Sequence, residues 1–286
     1  MSDLCISLRY FDRDRVENFY RKGEIYLASL EYFRKLGSDK NNNGIADHRE
    51  GSSAQYISKS TSFIVKIAGD NKEVISTSHK DGKNSINIYP DRSNAWGIWC
   101  FTNLELGDHS LFNHAVIRKE PTRSLEAFCI KKRFLNKLVQ SLNVGSNNRI
   151  PVIFKSSFND RLHELGGGFT YKVDDVAYYF EKQPPKALAP ENNPEDYCFF
   201  KPNRYAVQHE RRVLIPENLN GKRVQLLGDL RKVVIPLFDW KLDEVTFYLK
   251  KDFENSYFEL YCEYLGEMGY IKVTLNEGKL DTLVSF

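Results

Sequence analysis

Three polar residues at alternate positions, Gln208, Glu210 and Arg212, have the types and the spacing that could carry out chemistry. Residues 205–215 are typical of a β-strand, in which alternate side chains point to the same face of the sheet. The strand ends in an apolar run, residues 213–215, which predicts that it enters a core and is not an edge strand with solvated charges. We therefore expect the three polar side chains to share one face of a cleft. In such a cleft the change Glu210→Gln would leave the thermal stability nearly unchanged.

A lysine and an aromatic residue precede this alternating group. Lys201, Tyr205, Gln208, Glu210 and Arg212 together resemble the signature of a large group of uncharacterised bacterial proteins and abortive-infection proteins. That group is similar to a remote branch of the ADP-ribosyltransferases. The resemblance implies a site of the arginine-serine-glutamate class, in which Glu210 is the catalytic carboxylate and Gln208 faces the acceptor. Lys201 and Tyr205 would then contact the acceptor.

The resemblance also implies residues that bind NAD, which such enzymes consume as a substrate without needing a metal. The first strand would supply Arg9 for the diphosphate, and a later strand would supply Ser29 near the nicotinamide ribose. Tyr10 or Tyr26 could instead provide the ring that stacks on nicotinamide, as in the histidine-tyrosine-glutamate class. Each tyrosine could equally be half buried at a sheet face with its hydroxyl bonded. Arg212 would brace the carboxylates or the phosphates.

Residues 39–50 form the most specific local pattern in the chain, DKNNNGIADHRE. Oxygen-bearing side chains recur there at the spacing of an EF-hand calcium loop, with a glycine at the sharp turn. The candidate metal ligands are Asp39, Asn41, Asn43, Asp47 and Glu50. The low ligand charge and the single copy of the loop count against calcium. In the alternative interpretation this segment lines the cleft, and Arg49 contacts the acceptor.

Apolar alternation predicts an α+β fold with a mixed, strand-rich sheet split around a cleft, and the resemblance implies that the fold is ADP-ribosyltransferase-like. We expect one elaborated domain over residues 1–286. Helices are predicted at residues 14–21, ending at Gly23, and at residues 131–142. Strands are predicted at residues 5–11, 24–30, 61–67, 73–78, 84–89, 95–102, 127–130, 173–180, 223–227, 232–237 and 270–275.

The composition narrows the class of protein without identifying it. With 286 residues, 41% of them hydrophobic, the chain can bury a large core without disulfides or a structural metal. Its five widely spaced cysteines fit reduced thiols and argue against a zinc site. The first residues lack the pattern of a signal peptide and no apolar run reaches the length of a membrane span, so we expect a cytoplasmic protein without a membrane partner. The net charge of +3 selects no partner.

These observations lead to the hypothesis of an NAD-dependent ADP-ribosyltransferase toxin of anti-phage defence, restrained by an antitoxin protein. The expected acceptor is nucleic acid, RNA before DNA, because Lys201, Tyr205 and the basic residues 131–133 would suit a single strand. Those residues could also form only a solvated surface. The first alternative is a catalytically inactive phage-sensing or binding protein with the same fold. The second is a metal-dependent nuclease or a calcium-binding protein through residues 39–50, with His48 taking part in the nuclease.

Overall fold

The computed structural model describes residues 4–38, 53–57, 76–80, 83–88, 95–142, 149–164, 171–180, 194–216, 224–238, 241–266 and 269–280. Within them the chain has an α+β fold rich in strands. The strands are β1 (Cys5–Asp12), β2 (Glu24–Tyr26), β3 (Ala28–Ser29), β4 (Ser53–Ile57), β5 (Ser76–Lys80), β6 (Lys83–Ile88), β7 (Gly97–Glu105), β8 (Phe112–Lys119), β9 (Arg123–Ile130), β10 (Arg149–Phe154), β11 (Lys172–Asp175), β12 (Ala177–Tyr179), β13 (Phe200–Pro202), β14 (Glu210–Ile215), β15 (Val224–Leu226), β16 (Val234–Pro236), β17 (Thr246–Asp252), β18 (Tyr257–Gly266) and β19 (Gly269–Lys279).

The helices are α1 (Arg13–Lys22), α2 (Leu30–Ser38), α3 (Lys132–Ser141) and α4 (Ser157–Glu164), and 3₁₀ helices span Pro194–Phe199, Asn203–Gln208 and Leu242–Glu244. Of the helices in the described ranges, none is long and apolar enough to cross a membrane.

The chain divides into two compact units. The first unit contains residues 1–25, 101–167 and 225–286, and the second contains residues 26–100 and 168–224. The single-domain expectation stays a prediction, because one domain can contain two such units.

In the first unit, β1 is the middle strand of an antiparallel arrangement. It pairs with β10 along one edge and with β7 along the other, and β10 also pairs with β16. The helix α1 packs on these strands through Val16 and Phe19, which lie three residues apart and therefore on one face of the helix. Phe19 stacks on Phe11 with 4.3 Å between ring centroids. This aromatic packing holds the helix against β1.

A second, five-stranded antiparallel sheet of the first unit has the order β19-β18-β17-β9-β8. Strand β17 alternates as expected, since Phe247 and Leu249 are buried while Tyr248 and Lys250 are not. The edge strand β8 is mostly exposed, and Ile117 keeps 57% of its accessible surface. The sheet therefore ends at a solvent-facing margin on the β8 side.

In the second unit, β14 lies between β11 and β7, and its pairing with β11 is antiparallel. Strand β3 pairs with β7, β12 runs parallel to β13, and β4, β6 and β5 form a separate three-stranded sheet. One core cluster of this unit joins Leu30, Trp96, Ile98, Cys198, Phe199 and Leu214. Because Leu214 belongs to β14, the central strand is anchored in apolar packing.

Several predictions from periodicity are confirmed. Residues 14–21 lie in α1, which ends at Gly23, and most of residues 131–142 lie in α3. The strands predicted at residues 127–130 and 270–275 lie within β9 and β19. The strand predicted at residues 61–67 lies outside the described residues.

Three predicted strands are wrong in part. The strand predicted at residues 24–30 is interrupted, because β2 and β3 are separated at Leu27 and α2 begins at Leu30. Residues 173–180 form two strands, because β11 pairs with β14 whereas β12 pairs with β13. Residues 205–208 are 3₁₀ helix and not strand, so β14 begins only at Glu210.

Gly23 provides a test of the α1 terminus. Its φ of +65° is in the left-handed region, and a Cβ added there would lie 2.6 Å from the carbonyl oxygen of Gly228. We predict that Gly23→Ala lowers the free energy of unfolding by at least about 1–2 kcal/mol, because an L side chain is strained in this conformation. Urea denaturation measures the change. Gly107→Ala is the control, since open space surrounds its Cβ position; an equal loss in both variants would contradict the assignment.

Candidate functional site

The chain reverses direction between Lys201 and Glu210, and this reversal builds the site. Lys201 belongs to β13, and Pro202 closes that strand with its φ at −56°. The 3₁₀ helix Asn203–Gln208 follows, and His209 then adopts a left-handed conformation with φ 42°. Glu210 therefore enters β14 beside the strand that carries Lys201.

Glu210 is the centre of a buried cluster of charges. Its Oε2 accepts a hydrogen bond from Lys201 Nζ at 2.5 Å, and its Oε1 accepts one from Arg212 Nε at 2.5 Å. Lys201 Nζ also lies 3.4 Å from Gln208 Oε1, so the predicted amide and carboxylate meet at one ammonium group. The Arg212 and Glu210 side chains are 1% and 7% exposed. One carboxylate thus faces two cations at the same distance, and both of its oxygens are bonded.

The electrostatics keep Glu210 ionised. Burial alone would raise its pKa, but the positive charges of Arg212 and Lys201, with the hydrogen bonds they donate, hold the pKa well below the ordinary range of a glutamate. Arg212 is fixed in turn, because its Nη1 donates to the carbonyl oxygen of Cys198. The carboxylate is therefore charged and held at both ends.

Two residues that the sequence did not single out, Tyr178 and Cys100, complete the cluster. The Tyr178 hydroxyl accepts a hydrogen bond from the backbone N–H of Glu210 at 2.8 Å, and burial raises the pKa of this tyrosine. The Cys100 thiol hydrogen-bonds the Glu210 carboxylate, and burial raises the pKa of that thiol as well. Both side chains are therefore neutral neighbours of a charged group. The pairing of Tyr178 with Lys201 across β12 and β13 brings the tyrosine there.

Lys201 and Tyr205, predicted to contact an acceptor, are both buried. Lys201 Nζ lies 5.2 Å from the centroid of the Tyr205 ring, and the Arg204 guanidinium lies 5.0 Å from the same ring. The two cations therefore stack on the aromatic face. Of this group Arg204 is the exposed member.

The expectation that Glu210 lies in an open cleft is wrong. The residue is 6% exposed, and the alternation that was to place Gln208 on the same strand face does not exist, because Gln208 ends a 3₁₀ helix. Glu210 and Arg212 do share one face of β14, as predicted. Arg212 is too deeply buried to reach phosphates in this structure, so its bracing of the carboxylate is the observed part of its predicted role.

The residues predicted to bind NAD have other contacts. Ser29 is buried and its Oγ accepts a hydrogen bond from the backbone N–H of Tyr32 at 3.1 Å, which is the geometry of a helix cap at the start of α2. Tyr26, also in the second unit, is 52% exposed. In the first unit the half-buried Arg9 lies over the Phe11 ring at 5.5 Å. Tyr10 is half buried beside it.

Burial, and secondarily the charge of Asp243, raise the pKa of Tyr10 and keep its hydroxyl neutral. Arg49 and the candidate calcium ligands lie outside the described residues, so those predictions stay predictions. Within the ranges that the structure covers, no group of three or more His, Cys, Asp or Glu side chains could hold a metal ion. No family model, curated protein or solved structure matches this chain.

The cluster predicts a large stability effect for Glu210→Gln, opposite to the effect expected for a cleft residue. The variant leaves two buried cations without their counter-charge, so we expect the free energy of unfolding to fall by about 3–5 kcal/mol. Urea denaturation at neutral pH measures it. Asp175→Asn is the matched control: Asp175 bonds Arg211 at 2.9 Å on the neighbouring strand but is 53% exposed, so its loss should cost less than about 1 kcal/mol. Similar losses in the two variants would refute the buried cluster.

The same cluster predicts a dependence on acid. The folded-state pKa of Glu210 is depressed, so its carboxylate stabilises the fold above the unfolded-chain pKa of about 4.3, and this contribution is lost as the pH falls below that value. We therefore expect the difference in unfolding free energy between wild type and Glu210→Gln to narrow from neutral pH to pH of about 3. A difference that stays constant over this range would contradict the charge assignment.

Proposed function

We propose that this protein is an ADP-ribosyltransferase that consumes NAD and modifies a macromolecular acceptor, with RNA favoured over DNA. The observation that carries the proposal is the meeting of Gln208, Glu210 and Lys201 at one point. These are the residues that the resemblance assigns to catalysis and to the acceptor. An ADP-ribosyltransferase-like fold, action in the cytoplasm, a role as a toxin of anti-phage defence and restraint by an antitoxin belong to the same proposal.

The proposed chemistry uses the permanent charge of Glu210. Cleavage of the bond between nicotinamide and ribose passes through an oxocarbenium-like state, and a carboxylate that hydrogen-bonds the ribose 2-hydroxyl binds this state more strongly than the substrate. The low pKa of Glu210 supplies that ionised carboxylate at every physiological pH. Arg212 keeps its Oε1 in place. Oε2 is the oxygen that turns to the ribose once Lys201 withdraws.

Gln208 takes the acceptor side of the site in this proposal. Its Oε1 has a long contact to Lys201 at 3.4 Å, which is weaker than the two short contacts of Glu210. Withdrawal of Lys201 therefore removes this contact of the amide together with the bond to Oε2. Arg9 keeps its predicted role as the ligand of the diphosphate. Ser29 remains the candidate contact to the nicotinamide ribose, and Tyr10 or Tyr26 remains the alternative ring that stacks on nicotinamide.

A second candidate function is a binding protein that keeps the fold without catalysis. The observation that favours it is the engagement of both Glu210 oxygens by buried cations. A carboxylate in that state has a structural role and offers no oxygen to a substrate. The two candidates differ in whether Lys201 leaves Glu210 when NAD is present.

A paired measurement on Gln208→Ala separates the candidates. If Gln208 orients the acceptor, the variant should keep NAD hydrolysis, followed as nicotinamide release. Transfer of labelled ADP-ribose to RNA should fall about ten- to a hundredfold, the effect of one lost positioning hydrogen bond. Arg211→Gln is the control, because Arg211 lies on the opposite face of β14 and bonds Asp175.

Equal losses of both activities in Gln208→Ala would assign Gln208 to NAD binding or to folding, and thermal unfolding of the variant distinguishes these two. Wild-type protein that releases no nicotinamide and labels no RNA, DNA or protein pool would support the binding protein instead.

A further inference from the structure

A hydrogen-bonded chain of charged groups lies at the margin of the five-stranded sheet in the first unit. His114 Nε2 lies 2.9 Å from Glu126 Oε2, and Lys251 Nζ donates to Glu126 Oε1 at 2.8 Å. The three side chains come from β8, β9 and β17, which are neighbours in the sheet. The His114 side chain is 27% exposed and that of Glu126 is 17% exposed. The chain of contacts is thus rigid at Glu126 and open to solvent at His114.

A second histidine lies against the first. The rings of His109 and His114 have their centroids 5.7 Å apart and are inclined by 29°. The His114 ring also stacks on Phe128, with 4.6 Å between centroids. His109 is in the exposed turn that precedes β8. One exposed imidazole therefore lies beside another whose orientation is fixed by Phe128 and Glu126.

A basic segment is attached to the turn that carries His109. Lys131 Nζ donates to the carbonyl oxygen of His109 at 2.6 Å, which ties the basic residues 131–133 to the turn. Lys132 and Arg133 are exposed at the start of α3. Such a concentration of cations attracts the phosphates of a nucleic acid.

Glu126 is ionised in this setting. Burial raises its pKa, but the hydrogen bonds and charges of Lys251 and His114 outweigh the burial and lower it. An ionised Glu126 accepts the Nε2–H of His114, so that Nδ1 carries the lone pair when that ring is neutral. The carboxylate fixes both the tautomer and the ring orientation.

We propose that His109 and His114 form a metal-independent site that cleaves RNA by internal transesterification, an activity separate from ADP-ribosyl transfer. Cys129 is an odd number of residues from Glu126 on β9 and faces the other side of the sheet, so its thiol does not take part. In the proposed reaction the nucleophile belongs to the substrate. The 2′-hydroxyl of RNA is such a nucleophile, and DNA has none.

The reaction balances without a cofactor. His114 Nδ1 removes the proton of the 2′-hydroxyl, and the 2′-oxygen forms a bond to the adjacent phosphorus. The bond from phosphorus to the 5′-oxygen of the next nucleotide breaks, and protonated His109 gives that oxygen a proton. The products are a 2′,3′-cyclic phosphate and a 5′-hydroxyl. Glu126 is a positioning residue that acts through His114, and Lys131 and its neighbours hold the phosphate backbone.

The test uses the full chain, a labelled single-stranded oligoribonucleotide and the matching oligodeoxyribonucleotide, with EDTA and without NAD. The wild type should convert the RNA to fragments with a cyclic phosphate and leave the DNA intact. His114→Ala and His109→Gln should each lower the rate at least about a hundredfold, the usual range for a general acid or base. His163→Ala on α4 of the same unit is the control and should cleave as wild type does.

Glu126→Gln should lower kcat and leave KM unchanged, and Glu126→Asp should recover part of the loss, a pattern that a purely structural role would not give. Thermal unfolding of each variant excludes loss of the fold. Absence of cyclic phosphate from the wild type, cleavage of the DNA, or cleavage that survives in the double variant His109→Gln/His114→Ala would each overturn the proposal. Because NAD is omitted, none of these results depends on the proposed transferase.

Discussion

Burial of the Glu210 charge between Arg212 and Lys201 is the constraint on which the second unit depends. Moving an ion out of water costs several kcal/mol even after relaxation, and only close, fully bonded partners offset it. Here each carboxylate oxygen has its own cation at 2.5 Å, and the backbone of Cys198 fixes Arg212. The paths of β13, the 3₁₀ helix and β14 are therefore tied to one another, since a shift of any of them would leave a buried charge without its partner.

The same burial limits how a substrate can reach the Glu210 carboxylate. A buried ion pair is specific but slow to exchange, because a substrate must compete with a partner that is already desolvated. Of the two cations that bind the Glu210 carboxylate, Lys201 binds it less strongly. Its ammonium group divides its contacts between Glu210 and Gln208 and also lies over the Tyr205 ring. Arg212 cannot leave without uncovering the carbonyl oxygen of Cys198 as well. Any opening of the site therefore begins at Lys201.

The sequence was sufficient where structure is local. The helix α1 follows from apolar residues three apart and from Gly23, and α3 follows from Phe134, Leu135 and Leu138, which are buried together. The sequence was not sufficient where contacts between distant residues determine the secondary structure. The strand through residues 173–180 breaks because its partner changes from β14 to β13. The alternation of a β-strand correctly predicts that Glu210 and Arg212 share one face. It does not show whether that face lines a cleft or a core. It also does not predict that Cys100 and Tyr178 are neighbours of Glu210.

The two candidate sites differ in what limits them, and this difference follows from how each is built. The Glu210 cluster joins segments far apart in the chain and is almost fully buried. Its groups are therefore well ordered, but they already form their hydrogen bonds with one another. The histidines come from β8 and from the turn that precedes it, and the register of β8 with β9 sets His114 opposite Phe128. There the carboxylate orients an imidazole that still reaches solvent. A substrate can approach such a site without breaking the ion pairs of a buried cluster, so the proposed cleavage would be limited by the placement of the phosphate and not by the opening of the fold.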